Sequence, residues 1–174
     1  NPLPEFRTDT ALRRTSQILC VGSLSHNKGY DLLIDAWAKI AARYPDWTVQ
    51  VYGNGDPATY MALAVARGVA GRIEFHAPVA DIGAKYQQAG LFVLPSRSEG
   101  FGMVLLEAMS LGTPCISFDC PSGPGDILTD GVDGLLVAPQ DTAGMARAIK
   151  ALIDTPAQRE ALGQQARMTA EKYR

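Results

Sequence analysis

The chain has 174 residues, of which 47% are apolar and 20% charged, and this length and composition suit one soluble globular domain with a sizeable core. The formal net charge of −2 and the lack of a basic run argue against a nucleic-acid-binding protein. No stretch approaches roughly 18 consecutive apolar residues and no signal-peptide pattern opens the chain, so we expect a cytoplasmic domain.

The order of predicted elements indicates the fold class. Residues 1–16 are rich in Pro, Arg and Thr and show no steady hydrophobic period, which predicts a linker. Short β-rich runs then alternate with amphipathic helical runs, as in a doubly wound parallel sheet. The predicted strands are Gln17–Gly22, Thr48–Tyr52, Ile73–His76, Leu91–Leu94, Pro114–Phe118 and Leu135–Val137. The predicted helices are Gly29–Tyr44, Ala58–Arg67, Ile82–Ala89, Gly102–Leu111, Gly125–Leu128, Thr142–Asp154 and Pro156–Tyr173. The class is therefore α/β, a Rossmann-like three-layer αβα domain with a parallel sheet of about six strands.

The loop after the first predicted strand, Gly22 to Gly29, leads into a helix and carries one lysine. Lys28 offers a mobile point charge for a phosphate, and the two glycines let the backbone approach a ligand. The order of residues is not that of a P-loop. The alternative is a merely solvated lysine, although a cation at a helix start is unfavourable with the helix dipole.

The segment 91–111 contains the most informative pattern of the chain. A strand-like run is followed by a loop and by a helix that is expected from Gly102. The first backbone N–H groups of that helix have no internal partner and favour a phosphate, which Gly100 and Gly102 allow to come close. Glu99 and Glu107 flank this helix start, and their acceptor-only oxygens suit the vicinal hydroxyls of a ribose or hexose. The alternative is that Glu99 caps the helix and Glu107 is an ordinary exposed residue.

The cysteines and histidines give no sign of a metal centre. Cys20, Cys115 and Cys120 form an odd set without Cys-x-x-Cys spacing, and two of them lie in predicted strands. We therefore expect reduced thiols that are buried or nearly so. His26 and His76 lie far apart in the sequence, so no metal site is predicted, and His76 is expected to have a structural role at a strand end.

The run from Glu99 to Glu107, Glu-Gly-Phe-Gly-Met-Val-Leu-Leu-Glu, resembles the signature of retaining family 4 glycosyltransferases. That signature is a Glu, seven residues and a second Glu in the C-terminal donor-binding domain of the GT-B fold. Residues 119–128, dense in Pro and Gly, resemble a Cys-Pro-x-Gly-Pro segment of a subset that builds bacterial polysaccharides or wall polymers. Residues 129–137 resemble the family's Asp-Gly-x-x-Gly-Leu-Leu-Val turn and strand.

The resemblance runs from Ile18 to Tyr173 and implies a domain organisation. Residues 1–16 would be an interdomain linker, and residues 17–174 the nucleotide-sugar-binding C-terminal domain. An N-terminal acceptor domain would be missing from this chain.

The resemblance also implies roles at the donor site. Lys28 matches the lysine that holds the donor diphosphate, together with N–H groups around Gly102 and Met103. Glu107 is expected at the ribose hydroxyls and Glu99 at the hydroxyls of the transferred sugar. Glu99 and Lys28 are therefore the predicted catalytic residues.

The chain departs from the family pattern at one phosphate-binding position. The family has a second diphosphate cation, an arginine, where this sequence has Ser23, so the two-cation clamp is incomplete. The nucleotide base is expected near the backbone of Pro78 and Val79. The complete set of predicted donor-binding residues is Gly22, Ser23, Lys28, Pro78, Val79, Glu99, Gly100, Phe101, Gly102, Met103, Val104 and Glu107.

The implied activity is transfer of a hexose or N-acetylhexosamine from a nucleotide sugar, expected to be a UDP-sugar. The acceptor would be a glycan, lipid or polymer in bacterial polysaccharide or envelope synthesis. No metal or other cofactor is implied, because a lysine and a helix start can take the place of a divalent ion. The implied partners are the chain's own N-terminal domain, the donor and a glycan or lipid-linked acceptor, with peripheral membrane contact only through the missing half. The fragment alone is expected to be inactive.

Two alternatives stay open at this point. One is a nucleotide-sugar epimerase of GT-B shape, and the other is a non-catalytic nucleotide-sugar-binding module. A dehydrogenase domain is disfavoured, because no Gly-x-Gly-x-x-Gly opens the first helix.

Overall fold

The computed structural model describes residues 2–174. Its strands are β1 Gln17–Val21, β2 Thr48–Tyr52, β3 Ile73–His76, β4 Leu91–Leu94, β5 Cys115–Phe118 and β6 Leu135–Val137. They form one sheet in the order β3-β2-β1-β4-β5-β6, and every pair is parallel. Each predicted strand is confirmed to within one residue at its ends.

Helices cover both faces of the sheet. Within residues 2–174 they are α1 Tyr30–Ala38, α2 Ala58–Ala66, α3 Ile82–Gln88, α4 Met103–Ser110, α5 Pro124–Ile127, α6 Thr142–Asp154 and α7 Pro156–Glu171. The predicted α/β class and three-layer architecture are confirmed.

The end of α1 differs from the prediction, which extended this helix to Tyr44. The helix stops at Ala38, and a short 3₁₀ turn follows at Ala41–Arg43. Here the guanidinium of Arg72 donates to the carbonyls of Ala41 at 2.9 Å and Tyr44 at 2.5 Å. A side chain from a distant turn thus binds carbonyls at the end of this segment, and the local sequence carries no sign of that partner.

The core has two parts because successive strand residues point to opposite faces. A first core cluster, containing Ile18 and Cys20 of β1, lies under α1, α2 and α6. A second core cluster, containing Leu19 of β1, lies under α3, α4 and the end of α7. All three cysteines are buried free thiols, as predicted, and burial raises the pKa of the Cys20 and Cys115 thiols.

The N-terminal segment, residues 2–16, has no helix or strand but is held against α3. Leu3 is buried in the second core cluster, and the Phe6 ring meets the Tyr86 ring edge-on at 5.8 Å. Arg14 donates to the Tyr86 carbonyl at 2.7 Å and to the Leu111 carbonyl at 2.7 Å. The segment therefore follows α3 and binds the carbonyl ends of two helices. Among residues 2–174, no helix has both the length and the apolar character needed to cross a bilayer.

Candidate functional site

The strand order creates a switch point at the carboxyl edge of the sheet, between β1 and β4. Strand β1 pairs with β2 on one side and β4 on the other, so the direction of the crossover connections reverses here. Ligands of open α/β sheets bind outside such a switch point. The two loops that leave it, residues 22–29 and 95–102, contain Lys28 and Glu99.

An ion pair joins these two loops. Lys28 Nζ lies 2.9 Å from Glu99 Oε2, and the two side chains are 24% and 5% exposed. Lys28 ends a 3₁₀ turn, and Gly29 follows in the left-handed region with a φ of 73°. The residues that the sequence assigned separately to a phosphate and to a sugar are therefore in direct contact across the switch point.

A hydrogen-bond network fixes the same two loops to each other. The Arg97 amide donates to the Asn27 carbonyl at 2.7 Å, and the Asn27 amide side chain donates to the Ser98 carbonyl at 2.9 Å. The Arg97 guanidinium forms a bidentate pair with Asp31 at 2.9 and 2.7 Å, which lowers the pKa of that carboxyl. Sequence reasoning missed these residues, because their partners, in the loop 22–29 and at the start of α1, lie far away in the sequence and no local pattern connects them.

Helix α4 starts without a side-chain cap in the part of the chain that the structure describes. Gly102 stands at its N-cap with a φ of 88°, a conformation that favours glycine. The alternative in which Glu99 caps this helix is wrong, because the Glu99 carboxylate binds Lys28 instead. No side chain within residues 2–174 therefore caps the first N–H groups of α4, and uncapped N–H groups of this kind favour an anion.

Gly100 and Phe101, the two residues before Gly102, have different surroundings. A Cβ on Gly100 would meet no atom within 4 Å beyond the adjacent residues, so the backbone there is open to a ligand. Phe101 is 46% exposed, and its ring meets Tyr173 edge-on at 6.2 Å. The Phe101 ring is therefore half-exposed and contacts the C-terminal end of the chain on one side.

Glu107 is half-buried and receives a hydrogen bond from the Tyr86 hydroxyl at 2.8 Å on Oε2. Burial raises the pKa of Glu107, and the hydrogen bond from Tyr86 offsets part of that rise. The alternative of an ordinary exposed helix residue is therefore wrong. Glu107 is held in one orientation at some cost in desolvation.

The desolvation of the Glu107 carboxylate predicts a pH-dependent effect of Glu107→Gln on stability. Folding raises the pKa of Glu107 above its value in the unfolded chain. The ionised carboxylate therefore destabilises the folded state at pH values above the folded-state pKa, and this loss disappears at pH values below the unfolded-state pKa. Gln cannot ionise and still accepts from Tyr86. Thermal unfolding should show a higher Tm for Glu107→Gln than for the wild type at pH 8, with the difference shrinking toward pH 4. Glu5→Gln, at an exposed position, is the control, and a difference that stays constant with pH would contradict the desolvation account.

A cavity of about 270 Å³ lies beside the Lys28 loop. Four predicted donor-binding residues line it, together with five others from the same edge: Gly22, Ser23, Pro78 and Val79, and Val21, Tyr52, Gly53, Asn54 and Ile82. A Cβ on Gly22 would come 3.3 Å from Cδ of Lys28, so the lysine stem runs along this wall. The cavity and the ion pair are therefore adjacent.

Tyr86, which contacts Glu107, and two residues that line this cavity share the second core cluster. Val21 and Ile82, which line the cavity, pack against this cluster, as do Met103 and Val104 at the start of α4. Tyr86, the partner of Glu107, is a fully buried member of it. The start of α4, the partner of Glu107 and two residues of the cavity wall thus pack on one apolar cluster.

His76, at the end of β3, contacts two side chains of β2. Its Nε2 lies 2.7 Å from Gln50 Oε1, and its ring stacks on Tyr52 at 4.6 Å. Tyr52 in turn lines the cavity beside Lys28. His76 therefore supports a wall of the site.

A larger cavity, of about 510 Å³, lies at the opposite edge of the sheet and is lined in part by Arg14, Arg159 and Arg167. Arg159 donates to the carbonyls of Leu152 and Ile153 near the end of α6, and Arg14 binds helix-end carbonyls in the same way. Such contacts stabilise helix C-termini. Arg14 and Arg159 thus have structural partners, and the cavity lies far from the switch point.

A six-stranded, doubly wound parallel sheet with helices on both faces defines a Rossmann-like domain. Residues 15–155 match the family model of glycosyl transferases group 1, and the chain belongs to that family.

Relatives agree with this membership. The lipopolysaccharide core biosynthesis mannosyltransferase LpcC of Rhizobium leguminosarum bv. viciae is 35% identical over 154 residues, which cover 84% of this chain and 43% of that protein. The solved C-terminal domain of the group 1 protein LpcC from Francisella tularensis is 26% identical with a TM-score of 0.82, over 92% of this chain and 87% of that one. The pneumococcal O-GlcNAc transferase GtfA has the same fold, with a TM-score of 0.85 and 24% identity over 99% of this chain and 35% of that one.

The chain spans less than half the length of the curated relatives that it matches, with shares of 44%, 19%, 43% and 48% for four of them. The relatives include a lipopolysaccharide core biosynthesis mannosyltransferase, an exopolysaccharide phosphotransferase and an amylovoran biosynthesis glycosyltransferase. The chain is thus a glycosyltransferase domain similar to parts of bacterial polysaccharide enzymes.

Proposed function

We propose that this chain is the donor-binding domain of a retaining glycosyltransferase that uses a UDP-sugar. The observation that carries the proposal is the Lys28–Glu99 ion pair, which stands at the switch point where α4 starts without a side-chain cap. A cation and a helix start both attract a diphosphate. A carboxylate beside them suits the hydroxyls of the sugar that the diphosphate carries.

The chemistry requires stabilisation of the leaving group. The bond from the anomeric carbon to the phosphate oxygen breaks, and negative charge grows on the diphosphate. Donors that are already aimed at that charge lower the barrier, because they need no reorganisation during the reaction. Lys28 and the N–H groups at Gly102 and Met103 are the donors in this proposal.

Retention follows from attack on the same face that the leaving group departs. The acceptor oxygen forms the new glycosidic bond, and its proton goes to the departing phosphate oxygen. No enzyme nucleophile is then needed, and Glu99 has the task of orienting the sugar. Glu99 Oε2 binds Lys28 in the free domain, so binding of the donor diphosphate would share or replace that contact.

Glu107 would bind the ribose hydroxyls, and the base would occupy the cavity of about 270 Å³ at Pro78 and Val79. Ser23 also lines this cavity, and its Oγ lies 3.4 Å from Ser25 Oγ. A hydroxyl carries no charge, so we expect Ser23 to contribute a hydrogen bond at most. Lys28 would then be the main side-chain cation for the diphosphate.

UDP is the nucleotide favoured by the resemblance to polysaccharide enzymes, and the structure of the pneumococcal GtfA was solved in complex with UDP and GlcNAc. The transferred group would be a hexose or N-acetylhexosamine. The acceptor site, any membrane contact and the groups that complete the cleft would belong to an N-terminal domain in a longer cytoplasmic protein. The chain of 174 residues alone would bind the donor without transferring it.

Calorimetry on the chain tests the donor site directly. We expect UDP to bind the wild type, and Glu107→Ala to weaken that binding by about tenfold or more, because two hydrogen bonds from hydroxyls to a charged group are lost. Glu160→Ala, at an exposed position on α7, is the matched control and should bind UDP as the wild type does. The absence of UDP binding, or binding that is indifferent to Glu107→Ala, would overturn the proposal.

Measurement of turnover distinguishes the proposed transferase from the two alternatives, an epimerase and a binding module. The full-length protein should release UDP from a UDP-sugar only when an acceptor glycan is added. An epimerase would instead change the sugar without an acceptor, and a binding module would do neither.

A further inference from the structure

Tyr86 is a buried tyrosine whose hydroxyl contacts the candidate ribose-binding group. Its side chain is fully buried on α3, and its hydroxyl donates to Glu107 Oε2 on α4 at 2.8 Å. Burial raises the pKa of Tyr86 well above its ordinary value, so the hydroxyl keeps its proton and can only donate to the carboxylate.

The Tyr86 ring is held from two sides. The Phe6 ring of the N-terminal segment meets it edge-on at 5.8 Å, and the Phe92 ring of β4 lies at 5.7 Å. The Tyr86 carbonyl accepts from Arg14 at 2.7 Å and from Thr113 Oγ1 at 2.7 Å. The hydroxyl is therefore presented from a rigid part of the core.

A tyrosine here is more than packing requires. Phenylalanine would fill almost the same volume without placing a polar group in the core, and a buried hydroxyl is costly unless it is bonded. A glutamate has several rotatable bonds, and one fixed oxygen reduces the orientations that a ligand would otherwise have to select. The contact on Oε2 leaves Oε1 for a ligand.

We propose that Tyr86 is a positioning residue, which holds the Glu107 carboxylate in the orientation that binds the vicinal hydroxyls of the donor ribose. This inference rests on the proposed function and extends it to a residue that touches no ligand. The predicted consequence is specific, because Tyr86 should matter for a nucleotide that has ribose hydroxyls and not for one that lacks them.

The test compares UDP with 2′,3′-dideoxy-UDP on the wild-type chain and on Tyr86→Phe by calorimetry. We expect Tyr86→Phe to weaken UDP binding by roughly fivefold. The variant loses one hydrogen bond to the Glu107 carboxylate, and that bond affects the ligand only through Glu107. Binding of 2′,3′-dideoxy-UDP should be the same in both proteins. A general loss of structure would weaken both ligands equally, and that result would overturn the inference.

A matched control removes a similar hydroxyl at a distant place. Tyr44 donates to the Asp154 carboxylate at 2.7 Å on the surface, so Tyr44→Phe deletes the same kind of bond. This variant should bind both nucleotides as the wild type does. If wild-type protein binds UDP and Tyr86→Phe binds it equally well, the positioning role is wrong while the proposed function stands. If the wild type binds no UDP, the proposed function fails as well.

Discussion

Lys28→Ala should lower the affinity of the chain for UDP by about 10- to 100-fold and leave the affinity for uridine unchanged. Lys28 is a side-chain cation at the switch point, and Arg97, the other cation there, is paired with Asp31. The loss of a charge-assisted hydrogen bond to a phosphate has this magnitude. Uridine has no phosphate, so it cannot detect the change. Calorimetry with both ligands measures the difference.

In a full-length transferase the same substitution should lower kcat by roughly 10²- to 10³-fold, because Lys28 would stabilise charge that develops on the leaving diphosphate. Lys150→Ala is the control for the loss of a lysine. Lys150 Nζ lies 2.8 Å from Asp154 Oδ2 in an exposed pair on α6, and its removal should change neither binding nor turnover. Equal losses of UDP and uridine affinity in Lys28→Ala would contradict the phosphate role.

The fold and the ligand site can be separated in this experiment. Lys28→Ala leaves the Glu99 carboxylate, with a side chain only 5% exposed, without its partner, and the unfolding free energy should fall by about 2 kcal/mol. Adding Glu99→Gln removes the unpaired charge and should restore most of that stability. The double variant should still bind UDP weakly, because Gln supplies no cation.

The sheet was predictable because its signal is local. Parallel strands that are covered on both faces read as short apolar runs, and the run Leu91 to Leu94 is buried at every position. Gly and Pro mark the connections between such runs, as at Gly112 and Pro114 before β5. The strands were therefore predicted correctly from these local signals, whereas the family came from the resemblance of residues 99–107 to a known signature.

The contacts that join distant loops were not predictable in the same way. Lys28 and Glu99 were each assigned to a ligand, and nothing in either loop indicates that they would pair with each other across the switch point. Tyr86 has the spacing of an ordinary core residue on an amphipathic helix, so the sequence pattern does not indicate the hydrogen bond from its hydroxyl to Glu107. Single-sequence patterns report the period and the turns, whereas such contacts depend on which loops the sheet order brings together.

The roles at the site stay predictions. The structure places the ion pair, the start of α4 and the cavity along one edge of the sheet. The roles of these residues at a diphosphate or a ribose are tested by the binding experiments. The substitution of Ser23 for the family's arginine is the sharpest difference from the pattern. Among the side chains proposed to contact the donor, Lys28 is consequently the one whose replacement is expected to weaken binding most.

Gly29→Ala should lower the free energy of unfolding by about 4 kcal/mol, roughly twice the loss expected for Lys28→Ala. A Cβ on Gly29 would overlap the Pro95 carbonyl oxygen and lie 2.8 Å from its carbon, so one of the two loops would have to move. The φ of 73° adds the cost that any L-residue other than glycine has in the left-handed region. Urea unfolding measures the sum of the two effects.

Gly68→Ala separates them, because Gly68 has nearly the same φ, 76°, and a Cβ there would meet nothing within 4 Å. This control should lose only about 1 kcal/mol, the conformational cost alone. The larger loss in Gly29→Ala would then report the contact between the loops after β1 and β4. Since that contact brings Lys28 to Glu99, UDP binding should also be lost in Gly29→Ala under conditions where it stays folded, and it should persist in Gly68→Ala. Equal destabilisation by the two substitutions would mean that the loops tolerate separation, and the close approach at Pro95 would then not be what assembles the site.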